Sequence, residues 1–564
     1  MTYDSIIDSA LLDAFGQISN TTPTPDINSM KDTALDTIQQ YITITNLNYC
    51  SKKSAYVLPK KLSNYVISRF MLFLYDVKNI YFTTNKSNAI LAFYNPEDGI
   101  YYLYPERPAY INNLIRQFSK EMTTKDIAEV VSYLSDTAEL ATPCNNPDYV
   151  PLNNGIFDYK SKQLMPFTPE LIFVAKSSVN YNPNATNIVL HNDDDNTNWD
   201  VESWVADLSY NPEVVNLLWQ IIGAILRPNV SWNKAIFFTN TVGNNGKGTL
   251  CVMLRELCSK VAPLSLDDFQ KEFSLSMLIG ALANIADEND VDSFNKSNRN
   301  FKTAVTGDML NINIKYQNPV QYIFKGLIIE CLNDLPKFSD KTDSLYRRQL
   351  FVPFDKCFTG IERPYIKDQY MKNKDVLEYV VYKVLTLMPD YYRFDEPQAC
   401  KDMLDTVKVN NSPIRQFVAD FFEPDCFNWD LVPYTFLYDL YKAWFAKNVP
   451  SGKVQSRNPF LLELKQLLKT DYSDKWSVSD TNRRTRTHMS EPEYLIVKYG
   501  LTDWMNPMYR GNDADKICIP ALRESYRGIL RLSAMDASDI DDTNDNTKDD
   551  ESKDNTITSN YMYN

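Results

Sequence analysis

The chain has 564 residues, 44% of them hydrophobic and 13% aromatic, and a formal net charge of −14. That length exceeds what one core can serve, so three or four domains are expected, with a globular rather than collagen-like or low-complexity composition. No apolar run approaches the roughly 20 residues that span a bilayer, and the polar start does not read as a signal peptide, so a cytoplasmic protein without a membrane partner is expected.

Nine scattered cysteines, no C-x-x-C pair and only His191 and His488 leave a zinc ribbon or a Cys–His nucleophile without ligands. The cysteines read as buried or free thiols in a reducing compartment, and the two histidines as surface or loop residues without a role. Much of the acidity is local. From Asp536 onward nine acidic residues face Lys548 and Lys553, a net of −7 that is half the total excess. Residues 536–564 therefore read as a disordered acidic tail, and basic surfaces elsewhere remain open.

Residues 1–50 read as a polar, loosely attached N-terminal cap with weak helical patterns at 6–15 and 35–42. Residues 51–195 read as an α+β domain. It should hold an aromatic hairpin over 90–104 that turns at 94–99, helices over 110–118 and 124–134 with Thr123 or Thr124 as N-cap, and a second hairpin over 150–169. An acidic loop at 193–195 precedes a helical collar, 196–232, with helical periodicity over 204–226.

Residues 233–250 run from an apolar strand, Ala235 to Phe238, through a glycine loop into a helix carrying Leu250, Met253, Leu254 and Leu257. This is a phosphate-binding pattern. Gly243 and Gly246 allow the backbone N–H groups to turn inward, Asn244 and Asn245 lie between them, Lys247 reaches the β- and γ-phosphates, and the helix N-terminus adds its positive end. The pattern departs from G-x-x-x-x-G-K-[ST] twice: Thr241 stands where a glycine is usual, and Gly248 replaces the hydroxyl, which comes one residue late at Thr249.

A second apolar strand, 281–286, ends in Asp287 and Glu288, 40 residues after Lys247. Asp287 suits Mg²⁺, with Thr249 as a further ligand, while Glu288 suits polarising a water. A third strand, 324–332, ends in Asn333, suited to orienting that water. Arg347 and Arg348 then precede the apolar run 350–354, and a guanidinium stabilises a phosphoryl group in transfer. Between acids and Asn333, residues 301–308 carry Lys302, and an alternating stretch reads as a hairpin with Lys315 and Tyr316 near its turn, a cation and a ring able to grip a phosphate and stack a base.

With the glycine loop, Asp287-Glu288, the Thr306-Gly307-Asp308 and Lys315-Tyr316 segment, Asn333 and Arg347-Arg348 in this order, the chain resembles superfamily 3 helicases. More narrowly it is similar to the helicase part of phage, satellite-phage and poxvirus primase–helicases, over about residues 90 to 530; residues 150–158 resemble the segment that opens the domain before the ATPase. The resemblance implies an α/β fold with an AAA+-type ATPase core over 233–360, an α+β N-terminal region and a C-terminal helical and winged-helix domain. It also implies ATP and Mg²⁺ as cofactors, a homo-hexamer around DNA, Lys315 in the central channel, and Arg347 or Arg348 acting on the neighbour's nucleotide, with Arg348 favoured for lying beside the strand.

Neither a zinc motif nor a polymerase-type carboxylate cluster precedes residue 150, so a separate primase is the expected partner. After a helical segment, 361–410, residues 411–535 read as helices followed by a short strand at 475–478 and a basic turn with Arg483, Arg484 and Arg486. That suggests a winged-helix domain with the Lys465 helix in a DNA groove and the turn on phosphates. The function implied is an ATP-dependent hexameric DNA helicase and replication initiator of a phage or mobile element, translocating on single-stranded DNA at forks in a bacterial host cytoplasm. The alternatives are an ATP-switched origin-binding initiator without processive unwinding and, from another class, a P-loop small-molecule kinase.

Overall fold

The computed structural model describes residues 2–535 except Thr24, residues 51–53, 241–242, 290–298, Gln317, Lys337, residues 339–342, 450–452 and Arg486. The expected tail, 536–564, lies outside the described residues. The chain divides into two units, Met1–Leu404 and Asp405–Asn564, and the break falls inside the helix Gln398–Asn411. Among the described residues no helix is long and apolar enough to cross a membrane.

The N-terminal residues are not a loose cap. Helices Tyr3–Ser19 and Ile27–Tyr49 bury Ile6, Leu11, Ile38 and Ile42 in one core with Phe70, Phe93 and Leu134. In the second helix a low average hydrophobicity conceals a narrow apolar stripe, because most of its surface is polar and faces out. Asp26 starts the second helix by accepting the Asn28 N–H at 2.8 Å. A four-stranded sheet follows, in the order Ile100–Leu103, Ile90–Asn95, Val77–Ile80, Glu139–Ala141. The hairpin between its first two strands turns through Gly99 at φ +68°, and Thr123 with Asp126 forms a capping box for helix Thr124–Thr137.

The antiparallel strands Tyr149–Leu152, Gly155–Asp158 and Gln163–Met165 belong elsewhere than the sequence suggests. Val150, Leu152, Phe157 and Tyr159 share a core with the strands that hold Ile236, Ile285 and Ile329, not with the N-terminal helices. The expected single helix over 204–226 is two, Val201–Ala206 and Pro212–Ile225, since Pro212 starts a new helix and Asn211 caps it.

The central sheet holds β1 (Ala235–Thr239), β2 (Val261–Ala262), β3 (Ala283–Ala286), β4 (Leu327–Leu332) and β5 (Gln349–Pro353), all parallel, in the order β2-β3-β4-β1-β5. Nearly every residue of β1, β3, β4 and β5 is buried, which explains their continuous apolar runs. Helix α1 (Lys247–Glu256) follows β1 and sinks Leu250, Met253 and Leu254 into the core. β4 lies between β1 and β3, so the strand ending in Asn333 sits between the one that feeds the loop and the one that carries the acids.

In the second unit, helices Pro413–Phe422, Tyr434–Asn448 and Arg457–Asp471 share a core with an antiparallel sheet ordered Leu431–Pro433, Ser525–Arg531, Trp476–Arg484. The expected strand at 475–478 continues to Arg484, so Arg483 and Arg484 stand in a strand rather than a turn. His488, expected near the surface, is buried, and its carbonyl accepts the Asp430 N–H at 2.9 Å.

Leu11 is 2% exposed and its neighbour Leu12 71% exposed, so the pair tests whether the N-terminal helices pack. Leu11→Ala should cost roughly 2–5 kcal/mol in denaturant unfolding, and Leu12→Ala about 0.5 kcal/mol or less.

Candidate functional site

The loop after β1 is shaped by two left-handed residues, Asn244 at φ +55° and Gly246 at φ +85°. The left-handed dihedral at Gly246 favours glycine, and a Cβ there would also push on Leu208 Cδ2, 2.5 Å away. The Phe358 N–H donates to the Asn244 carbonyl at 2.7 Å, and Asn244 Nδ2 donates to Glu362 Oε1 at 2.9 Å, which engages the loop on its outer side. Asn245 is buried and its Oδ1 accepts the Lys247 N–H at 3.3 Å.

Lys247 is 5% exposed. Its Nζ donates to the Leu332 carbonyl at 2.9 Å and to Asn333 Oδ1 at 3.3 Å, both at the carboxyl end of β4. Burial draws its ammonium below the usual lysine value, because these partners are neutral oxygens and no anion compensates the lost water. Asn333, Asp287 and Glu288 are exposed at the same edge of the sheet. Asp287 is gripped by Arg255 of α1, with Nη1 and Nη2 at 2.8 and 2.7 Å from its two oxygens. The exposed carboxylates and the Asn333 oxygen are hard donors of the kind Mg²⁺ takes, and Asp287 is already paired with Arg255.

Thr249 turns toward a cavity of about 560 Å³ whose described walls include neither Asp287 nor Glu288. Trp199, Trp204, Phe358, Gly246 and Lys367 line it, a size and mixture suited to a small organic ligand beside the loop. None of these aromatic residues is distinguishable in the sequence from ordinary core, because only the fold brings residues 198–207 and 358–367 against the loop.

The arginine pair lies elsewhere. The Arg348 carbonyl accepts the Ala235 N–H at 2.7 Å, which puts both arginines at the amino edge of the sheet. β1 spans roughly 13 Å at about 3.3 Å per residue, and the loop lies beyond its other end. Arg348, favoured from the sequence, is half-buried, its guanidinium tied to the Ser344 carbonyl and, at 2.8 Å, to Ser344 Oγ. Arg347 is the exposed member.

The hairpin over 309–323 pairs Met309–Ile312 with Val320–Ile323 and carries Lys315 and Tyr316 in its loop, Tyr316 fully exposed at φ +63° and Lys315 Nζ 5.7 Å from the Phe273 ring centre. Lys302 is half-buried on the preceding helix, Arg299–Thr306. In the second unit the expected DNA contacts fare unevenly. Arg483 is 2% exposed and donates to Ser477 Oγ, so it cannot reach a phosphate; the strand's alternation turns it into the core while Arg484 faces out. Lys465 is paired with Asp480 and lies over the Tyr434 ring, and Arg486 is outside the described residues.

Profiles of three families match the chain. They are D5 N terminal like over residues 73–208, a family of unknown function, DUF5906, over 238–348, and poxvirus D5 protein-like over 410–500. The middle match begins in β1 and ends at Arg348, so it encloses the loop, the acids, Asn333 and the arginine pair. No curated protein matches. Among solved structures, the apo C-terminal region of NrS-1 aligns with TM-score 0.42 and 12% identity over 76% of this chain and 98% of its own. An A-form structure of that region gives 0.40 and 13% over 74% and 97%. JCV helicase with a bound phenoxyphenyl acetamide gives 0.22 and 14% over 39% and 64%.

One group escapes the sequence reading. Glu330, wholly buried in β4, accepts Asn284 Nδ2 at 3.0 Å and Asn289 Nδ2 at 2.9 Å, and Asn289 directly follows the acid pair. The signal was a lone carboxylate within an otherwise apolar strand. Burial pushes its carboxyl well above the ordinary range, so the folded chain holds a proton there that the unfolded chain releases above about pH 4.3. Its contribution to stability must then fall as pH rises from that point. Relative to Glu330→Gln, the wild type should lose stability between pH 5 and pH 8 in urea unfolding, and a constant difference would count against a raised carboxyl.

Proposed function

We propose that this D5-like chain is an NTP-hydrolysing replication protein with a helicase role, working as a ring of AAA+-type subunits on DNA. The D5-like matches support the coarse reading. The finer one is carried by the division of the site between the two edges of one sheet. Lys247, Asp287, Glu288 and Asn333 gather at the carboxyl edge, whereas Arg347 sits at the amino edge, out of reach of its own loop. Arg347 can serve a phosphoryl-transfer site only when a neighbour's loop is brought to it.

The base of ATP would occupy the cavity lined by Trp199, Trp204 and Phe358, with its phosphates running onto the Gly246 loop and the N-terminus of α1. Lys247 would exchange its neutral oxygens for the γ-phosphate and free Asn333 to orient the water that Glu288 deprotonates. Asp287 would hold Mg²⁺, which when bound neutralises the developing phosphate charge. The exposed Tyr316 at the hairpin tip favours a motor that grips single strands over an ATP-switched initiator without unwinding. The helices and three-stranded sheet of the second unit support a winged-helix reading with Arg484 as its outward cation.

Lys247→Ala should lower ATP hydrolysis by about 10²–10³-fold or more, while Glu288→Gln should keep ATP binding and stop turnover. Arg347→Ala should bind ATP and hydrolyse it about 10³-fold more slowly. Mixing the two dead variants, Lys247→Ala and Arg347→Ala, should recover hydrolysis where an intact loop meets an intact arginine. Mixed rings that have exchanged subunits and stay inactive would remove the shared-site reading. Strand displacement on a forked substrate separates motor from initiator, and Lys315→Ala should lose stimulation by single-stranded DNA while retaining basal hydrolysis.

A further inference from the structure

The loop's main departure from the common pattern is Gly248, which stands where a hydroxyl normally helps to hold Mg²⁺. The space is not idle. A Cβ built on Gly248 has one side-chain atom near it, Lys367 Nζ at 3.8 Å. An ammonium therefore lies in van der Waals contact with the Cβ position that a serine or threonine would occupy.

Lys367 is presented by an anchored segment, the helix Pro364–Asp368. Ile366 is buried, and the Tyr365 hydroxyl donates to Asp195 Oδ2 at 2.7 Å and lies 3.0 Å from Thr197 Oγ1. The cavity's other charged groups are engaged. Asp207 pairs with Lys356 at 2.9 Å, Arg363 with Asp195 at 3.5 Å, Glu362 accepts the Gly360 N–H at 2.8 Å, and Asp200 accepts the Ser203 N–H at 2.9 Å. Among the described residues Lys367 has no carboxylate partner. Lys367 thus places a second cation beside the residue that follows Lys247 at the N-terminal end of α1, on a cavity wall that also carries the carboxylates Asp200, Asp207 and Glu362.

We propose that Lys367 is a phosphate-binding residue of the nucleotide site, supplying directly the charge that a hydroxyl after Lys247 would otherwise recruit through Mg²⁺. Nucleotide binding should then depend less on Mg²⁺ than the usual loop requires. The inference rests on the nucleotide reading proposed for the loop and adds to it a second cation with a particular division of labour: Lys367 for binding in the absence of metal, Asp287 for the metal itself.

The test is equilibrium binding of ATP to the full chain, with Mg²⁺ and with EDTA. Wild type should retain most of its affinity in EDTA. Lys367→Ala should lose roughly tenfold to a hundredfold in EDTA, as expected for a hydrogen bond between charged groups, and clearly less in Mg²⁺. Lys367→Arg should restore metal-independent binding, and Gly248→Ser combined with Lys367→Ala should bind well only with Mg²⁺. A side chain that merely supported the helix would weaken both conditions alike. If Lys367→Ala binds ATP as tightly as wild type in both conditions while Lys247→Ala does not bind, the Lys367 assignment is overturned and the loop reading stands. If wild type binds no ATP in either condition, both are overturned.

Discussion

Everything at the carboxyl edge of the sheet is arranged around one desolvated cation. Lys247 has given up water and received two neutral oxygens, the Leu332 carbonyl and Asn333 Oδ1. Neither neutralises its charge, so the resting loop favours the arrival of an anion. Beside it, Gly246 takes a left-handed turn into α1 and Asn244 donates to Glu362. The bond to Asn333 also couples two parts of the site. A ligand that draws Lys247 away releases the side chain best placed to hold a water.

Beneath this edge lies a second polar layer that never meets solvent. Glu330 joins β4 to Asn284 on β3 and to Asn289 just past the acids, while Asn284 also spans to the Leu264 backbone in both directions at 2.9 Å. A buried carboxyl costs stability, which here is spent on fixing where the segment after Glu288 leaves the sheet. On the other face of β4, Cys331 Sγ lies 3.4 Å from Cys251 Sγ of α1, and the three groups Cys251, Asp287 and Cys331 hold their ligand atoms within 4.8 Å. The contact with Cys331 and burial push the Cys251 thiol well above its ordinary range, so the two sulfurs pack between helix and strand as neutral groups.

The parallel sense of the sheet also constrains assembly. Because all five strands run the same way, whatever ends a strand faces the loop and whatever begins one faces away. Arg347 lies two residues before β5, at its amino end. No side-chain rotation brings it to the Lys247 edge of the same chain, and that separation is the physical basis for reading the site as shared between subunits.

The amino-acid sequence by itself determined the features that depend on local order: strand, loop and helix around Lys247, the acids and Asn333 at strand ends, and the hairpin with Lys315 and Tyr316 in its loop. Each follows from apolar periodicity interrupted by glycine or a polar residue, a signal carried by neighbours in the chain. Only the tertiary structure decided what depends on distant segments meeting. It packed the N-terminal helices, whose narrow apolar stripes have meaning only against Phe70 and Phe93. It turned Arg483 inward and Arg484 outward, because strand register and not composition selects the face. It set Arg348 back on Ser344 and left Arg347 exposed, and it brought Lys367 into the space left by Gly248. Those contacts join residues far apart in sequence, and no local pattern records which of many lysines or arginines the fold will carry to the loop.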